Sequence, residues 1–180
     1  GPSLRLQLFE HAGLLHHLVK PPEHMVAQDE VRSLHLAVYG HLPPDQAAEV
    51  ARAAGFATGN YLLAHRIPSI LQALLKRLPA PLAARVLLAA IAQHAWTFVG
   101  SGRFVAQPPA WDATGVVVTI HNNPLCTQRH SPYPVCHFHA ATFERLFAAL
   151  VHPATRVHEL SCEASGGDGC RFDIRWGGSP

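Results

Sequence analysis

A chain of 180 residues, 48% apolar and only 14% charged, can close around a core of its own, which excludes a disordered or fibrous polypeptide. A formal net charge of +2, with no basic cluster interleaved with aromatics, gives no reason to expect a nucleic-acid partner. No apolar run reaches the roughly 20 residues that span a bilayer, so the expected location is cytoplasmic or membrane-peripheral. The oddity is the 14 histidines, a residue type that binds metals and titrates near neutral pH.

Gly1-Pro2-Ser3 reads as the scar of a cleaved tag and is set aside, leaving residues 4–180 as one domain without internal repeats. Leu4 to Val19 carries leucines at helical spacing and predicts a helix that Pro21-Pro22 ends. Val31 to Tyr39 is short and fits helix or strand. Pro43-Pro44-Asp45 opens a helix through Ala54, with Gly55 as its natural terminator, and Asn60 to His65 supplies a further turn or two. Pro68 starts a helix that ends near Leu78, and Pro79-Ala-Pro81 breaks the chain again. From Leu82 to Phe98 runs the longest helical pattern, with Leu82, Val86, Leu87, Ala90, Ile91, His94 and Phe98 at steps of three and four. His94 therefore falls on an apolar side, as a satisfied core histidine, a polar group at the helix end, or a contact at the mouth of a pocket. Gly100-Ser-Gly102 lacks the third glycine of a dinucleotide loop and follows a helix instead of a strand, so that reading fails.

Arg103 to Ala106 reads as a strand. Thr114 to Ile120, rich in β-branched residues, is the clearest strand, and its near-continuous apolar run predicts a central position buried on both faces. Cys126 to Pro134 is a loop. Because loops carry function more often than core elements do, His121 and His130 are pocket candidates. Val135 to Val151 is an amphipathic helix whose Phe138, Phe143, Leu146, Phe147 and Leu150 form an ordinary buried stripe. Cys136 sits at its start, where the helix N-terminus favours a thiolate. His137 and His139, two apart, do not share a helix face and form no metal pair. Strands over Arg156–Cys162 and Cys170–Trp176 complete an α+β architecture, a helical layer on a small, mainly antiparallel sheet.

Cys162 and Cys170 flank Gly166, Gly167, Asp168 and Gly169, and glycine supplies the positive φ that a tight hairpin needs. The hairpin brings the two cysteines together, Cys136 arrives from the helix before it, and a closed tetrahedral site for structural zinc becomes possible. Two alternatives stay open on spacing alone. The pair could form a disulfide, which needs an oxidising compartment, or the cysteines could be small buried hydrophobes. The fourth donor is open as well: Glu159 lies three residues before Cys162, and Cys126 is equally available.

The pattern Glu159-x-x-Cys162-x7-Cys170-Arg-Phe, with Cys136 ahead of it, resembles the C-terminal signature of the 4-vinyl reductase domain family. That family is similar in fold to subunits of the vesicle-tethering trafficking complex and to haem nitric-oxide-binding domains. In its phenol-sensing members the resemblance implies a zinc site of three cysteines and one glutamate, which here falls on Cys136, Glu159, Cys162 and Cys170 and leaves Cys126 without a counterpart. It also implies small apolar or aromatic ligands. For members in bacteriochlorophyll biosynthesis the implied ligand is a tetrapyrrole, such as a magnesium porphyrin or divinyl protochlorophyllide, in a wide apolar slot between helices and sheet. Trp96, Phe98, Phe104 and Trp111 are candidate walls. His94, His121 and His130 are candidate contacts, one of which could ligate the magnesium.

No catalytic residue is assigned. Four protein ligands leave the metal no open position, and no nicotinamide fingerprint is present, although a flavin can bind without a legible motif. Two functions follow, a non-catalytic protein that holds or delivers the tetrapyrrole and an enzyme that reduces its vinyl group, with a regulatory sensor, which would need an output domain or partner, as a third. Other chlorophyll-synthesis enzymes and a second copy of the chain are expected partners by analogy.

Overall fold

Gly13, at φ +71°, ends the first helix where the sequence pattern ran on. The computed structural model describes residues 2–176 and divides the chain into two compact units, Gly1–Ala51 and Arg52–Pro180. The first contains α1 (Pro2–His11), α2 (His16–Val19), α3 (Gln28–His41) and the opening turns of α4 (Pro44–His65). The single helix predicted over Leu4–Val19 is thus two. The Leu14 N–H donates to the Phe9 carbonyl at 2.8 Å and the Gly13 N–H to the Glu10 carbonyl at 2.9 Å. This is the paired closure that a left-handed glycine permits at a helix end. The ambiguous stretch Val31–Tyr39 lies inside α3, whose first turn carries Asp29 and Glu30, the acidic residues a helix N-terminus favours. Leu8, Ala37, Val38 and Ala47 form the small core of this unit.

The second unit holds the rest of α4, then α5 (Ser69–Leu75), α6 (Ala80–His94), α7 (Trp96–Val99), β1 (Arg103–Ala106), β2 (Gly115–His121), α8 (His137–Leu150), β3 (Arg156–Ser161) and β4 (Cys170–Arg175). Gly55 does not end α4, which runs through it for 22 residues and is longer than the pattern over Leu82–Phe98. That pattern divides at Ala95 into α6 and α7. A Cβ at Gly55 would fall on the Phe138 carbonyl of α8, and one at Gly59 would come within 2.8 Å of the Arg145 side chain. The Thr142 hydroxyl donates to the Gly55 carbonyl at 3.1 Å across the same contact. These glycines let two helix backbones approach, which offsets the roughly 1 kcal/mol each costs against alanine in a helix.

The sheet has strand order β1-β2-β4-β3 and is antiparallel throughout. Its inner face carries Val116, Val118 and Ile120 of β2 with Cys170, Phe172 and Ile174 of β4, all buried, in register as Val118↔Phe172 and Ile120↔Cys170. The expectation of burial on both faces is corrected: β2 is central, but Val117 on its other face is 37% exposed. An antiparallel sheet covers one face only, and β-branched residues suit either side of a pleated surface.

Helix α8 lies against the inner face. Its Phe143 packs against Phe98, Phe104 and Phe172 with ring centres 6.0, 6.0 and 5.4 Å away, and Phe147 stacks on Trp176 at 6.2 Å. Among the described residues no helix is long and apolar enough to cross a membrane.

Candidate metal centre

Four segments deliver the four cysteines to one place. Cys126 comes from the loop after β2, Cys136 caps the start of α8, Cys162 follows the end of β3, and Cys170 begins β4. The β3–β4 connection turns as the sequence predicts: a single 3-10 turn over Glu163–Ser165, then Gly166 at φ +86°. A Cβ at Gly167 would meet the Cys162 carbonyl at 2.9 Å, so the backbone can fold this tightly only with glycine there. The loop holding Cys126 is clamped to the hairpin by Glu163, whose two carboxylate oxygens accept the N–H groups of Asn122 and Asn123 at 2.6 and 2.7 Å.

All four cysteines are buried and free. Their six sulfur–sulfur distances are 3.4 Å (Cys126–Cys136), 3.6 Å (Cys126–Cys162), 3.5 Å (Cys126–Cys170), 3.5 Å (Cys136–Cys162), 3.3 Å (Cys136–Cys170) and 4.0 Å (Cys162–Cys170). Six similar edges describe a tetrahedron. A regular one with zinc–sulfur bonds of about 2.3 Å has edges of about 3.8 Å, so the set is slightly contracted around a space of the right size. A disulfide would need about 2.05 Å, and no pair comes near it. Apolar packing alone gives no reason for four side chains to aim their sulfurs at one point. The cluster could hold a metal ion.

The electrostatics fit the same description. Hydrogen bonds from Cys126 and Cys136 hold the thiols of Cys162 and Cys170 well below the ordinary range. Cys136 is pushed up by its hydrogen bonds with Cys126, Cys162 and Cys170 and by burial. The buried Asn123 amide donates to the sulfurs of Cys136 and Cys170 at 3.5 and 3.4 Å, adding a neutral donor where charge gathers.

Glu159 stands beside this set. Its Oε2 accepts the Cys136 N–H at 2.7 Å, and its Oε1 is buried without a hydrogen-bond partner. Burial first, then the Cys162 charge, push its carboxyl up to about 8. The fourth corner of the tetrahedron is occupied by the Cys126 sulfur. Asn123 and Glu163 were not singled out from sequence, and only the turn-forming Asn122-Asn123-Pro124 hinted at the clamp.

The other candidates lie apart from the sulfurs and do not converge. His94 and Trp96 are exposed at the junction of α6 and α7, Trp96 by 62%. Phe98 and Phe104 belong to the ring cluster around Phe143. His121 ends β2 with its Nδ1 3.0 Å from the Asp168 carbonyl, and His130 is exposed in the following loop. Trp111 is exposed under the Arg85 guanidinium, 4.2 Å from its ring centre. His139 is buried against Phe138 and Phe172 while His137 is half-buried, so the two do not pair.

Residues 116–176, from β2 through β4 and including all four cysteines, match the 4-vinyl reductase domain. Over 157 residues, 86% of this chain and 72% of the relative, the sequence is 43% identical to the bacteriochlorophyll synthase 23 kDa chain of Cereibacter sphaeroides. It is 42% identical to the protein of the same name from Rhodobacter capsulatus over 156 residues, 86% of this chain and 70% of that one. Among solved structures, it resembles the phenol-responsive sensory domain of the transcription activator PoxR with phenol, with a TM-score of 0.63 and 16% identity over 84% of this chain and 75% of that one. A trafficking protein particle complex subunit 3 from Naegleria fowleri, covalently bound to palmitic acid, gives a TM-score of 0.50 and 14% identity over 97% and 95% of the two chains. At these identities the two likenesses show the fold, and they bear out the α+β expectation.

Proposed function

The chain belongs to the 4-vinyl reductase domain family, in the group of the bacteriochlorophyll synthase 23 kDa chains, and from that premise we propose that it is a zinc-stabilised, non-catalytic protein that holds or delivers a magnesium tetrapyrrole during bacteriochlorophyll biosynthesis. The observation that carries the reading is the closed set of four sulfurs. A tetrahedral ion held by four protein ligands has no position left for water or substrate, so its contribution is to folding and not to a reaction. Zinc suits four thiolates at this spacing. Cys126, Cys136, Cys162 and Cys170 are the proposed ligands, with Glu159 held behind Cys136 by the backbone N–H it accepts. Bound there, the ion would tie the β2–α8 loop, the start of α8 and the β3–β4 hairpin into one piece.

The tetrapyrrole follows from the pathway named for the relatives. His94 and Trp96 are the proposed contacts, an exposed imidazole two residues from an exposed indole. An imidazole can serve as axial ligand to the magnesium of a chlorin, and an indole offers a flat apolar face to the ring. The second reading, reduction of the vinyl group, rests on the family's name. Titrating the protein with divinyl protochlorophyllide, with and without NADPH, separates the two. A shifted absorption band without loss of the vinyl group, weakened in H94A and W96A, supports carriage. Loss of the vinyl group supports reduction, and an unchanged spectrum in both conditions overturns both.

A further inference from the structure

We propose that the N-terminal unit carries a second metal site, open to solvent, made by His16, His17 and Glu30 for a divalent late transition ion such as zinc. One ligand atom from each of these residues lies within 4.8 Å of the others. His17 Nε2 is 2.7 Å from Glu30 Oε2, with the two side chains 17% and 35% exposed. The His16 and His17 rings stand 4.0 Å apart, centre to centre, at 48°. Consecutive residues on a helix project about 100° apart, so this approach needs both side chains to lean together from the single turn of α2.

An ion pair between His17 and Glu30 explains two of the three residues. It does not explain why His16, exposed and free to point at water, lies on the ring of its neighbour. A shared cation explains all three. Two neutral imidazoles and a carboxylate suit zinc, nickel or copper, and three protein ligands leave positions for water. The hollow beside the two imidazoles, about 440 Å³, has room for an ion with its waters. Glu23 and His24 line the same hollow, while the Lys20 ammonium on its wall limits the affinity.

The site differs in kind from the thiol centre. It contains no sulfur, lies outside the segment that matches the 4-vinyl reductase domain, and would bind and release its ion without unfolding anything. It does not depend on the tetrapyrrole reading.

The test uses the full chain with its thiol centre filled with zinc and excess metal removed. Calorimetric titration with further Zn2+ is expected to show one more equivalent per chain. The double variant H16A/H17A should weaken that binding roughly tenfold or more, the scale of loss known for perturbing a metal site's ligand shell. E30Q should weaken it too, and H65A, an exposed histidine elsewhere, should not. On the unmodified protein, Co2+ should shift the amide resonances of residues 15–31 before any others. No further equivalent, undiminished binding in H16A/H17A, or cobalt shifts centred elsewhere would each overturn the site.

Discussion

The two ends of α8 are held to the sheet by different physics. At its start, Cys136 joins three other sulfurs that arrive from three other segments, and each occupies one corner of a tetrahedron. Further along, Phe143, Phe147 and Leu150 are held by ring and aliphatic contacts with Phe98, Phe104, Phe172 and Trp176. Contacts in the apolar region add up in small increments, so losing one atom costs a fraction. The sulfur region behaves differently, because removing one of four thiolates leaves a tetrahedral ion with an unfilled coordination position. The same helix is therefore tolerant at one end and brittle at the other.

The largest effect should come from breaking the brittle end. C126A, C136A, C162A or C170A should each abolish tight retention of one metal ion per chain, read by elemental analysis, and the protein should lose cooperative thermal unfolding. Structural zinc contributes on the order of 10 kcal/mol in small domains near neutral pH. Chelation should do the same to the unaltered chain, and more readily in acid, because the ligands must be deprotonated to bind. The metal's contribution is present at neutral pH and lost as pH falls. Retention of metal by C126A would return the fourth corner to Glu159.

Next in size is the tolerant end. F143A removes the ring at the centre of the aromatic cluster and should cost about 3–5 kcal/mol in chemical unfolding, with the metal still bound. If metal content fell along with stability, the two ends would not be independent and the contrast would fail. Smaller again is G55A, whose new methyl would strike the Phe138 carbonyl. The first turn of α8 would have to shift, at a cost of about 1–3 kcal/mol as in other overpacked contacts. Since Cys136 caps that turn, a measurable weakening of metal retention is expected, whereas F143A should cause none.

The sequence made the hairpin end of this comparison readable and left the rest obscure for identifiable reasons. Gly166 and Gly167 between alternating runs force a reversal, so Cys162 and Cys170 had to meet, with Cys136 arriving from the helix before them. Cys126 was visible only as a spare donor, because its path is set by Asn122 and Asn123 bonding to Glu163 some 40 positions away. No local pattern records such a contact. Gly55 was read as a stop because its use depends on a helix more than 80 residues later. The run Val116–Val118 looked buried on both faces because β-branched residues satisfy strand propensity whether or not a layer covers them. His16, His17 and Glu30 were lost among many histidines, since the lean of two rings on one short turn is a tertiary fact.

Glu159 supplies the finest test of the boundary between sulfur and apolar regions. With no ion at the thiols, burial and the Cys162 charge raise its carboxyl to about 8, and glutamine is the likeness of its protonated form. E159Q should keep its metal and an oxygen to accept the Cys136 N–H, and should be at least as stable as the unaltered protein at pH 7. The sign of the pH dependence follows from the direction of the shift. The folded state holds this proton more tightly than the unfolded chain, so the stabilisation is complete below the ordinary value of 4.5 and is lost as pH rises toward 8. The unfolding free energy of E159Q minus that of the unaltered protein, both metal-free and read by chemical denaturation, should therefore grow from pH 5 to about 8 and level off above. A difference that shrinks over that range once the ion is bound would mean that the ionised carboxylate is then the stabilised form, as a metal ligand would be, and Glu159 would move from behind Cys136 into the coordination sphere.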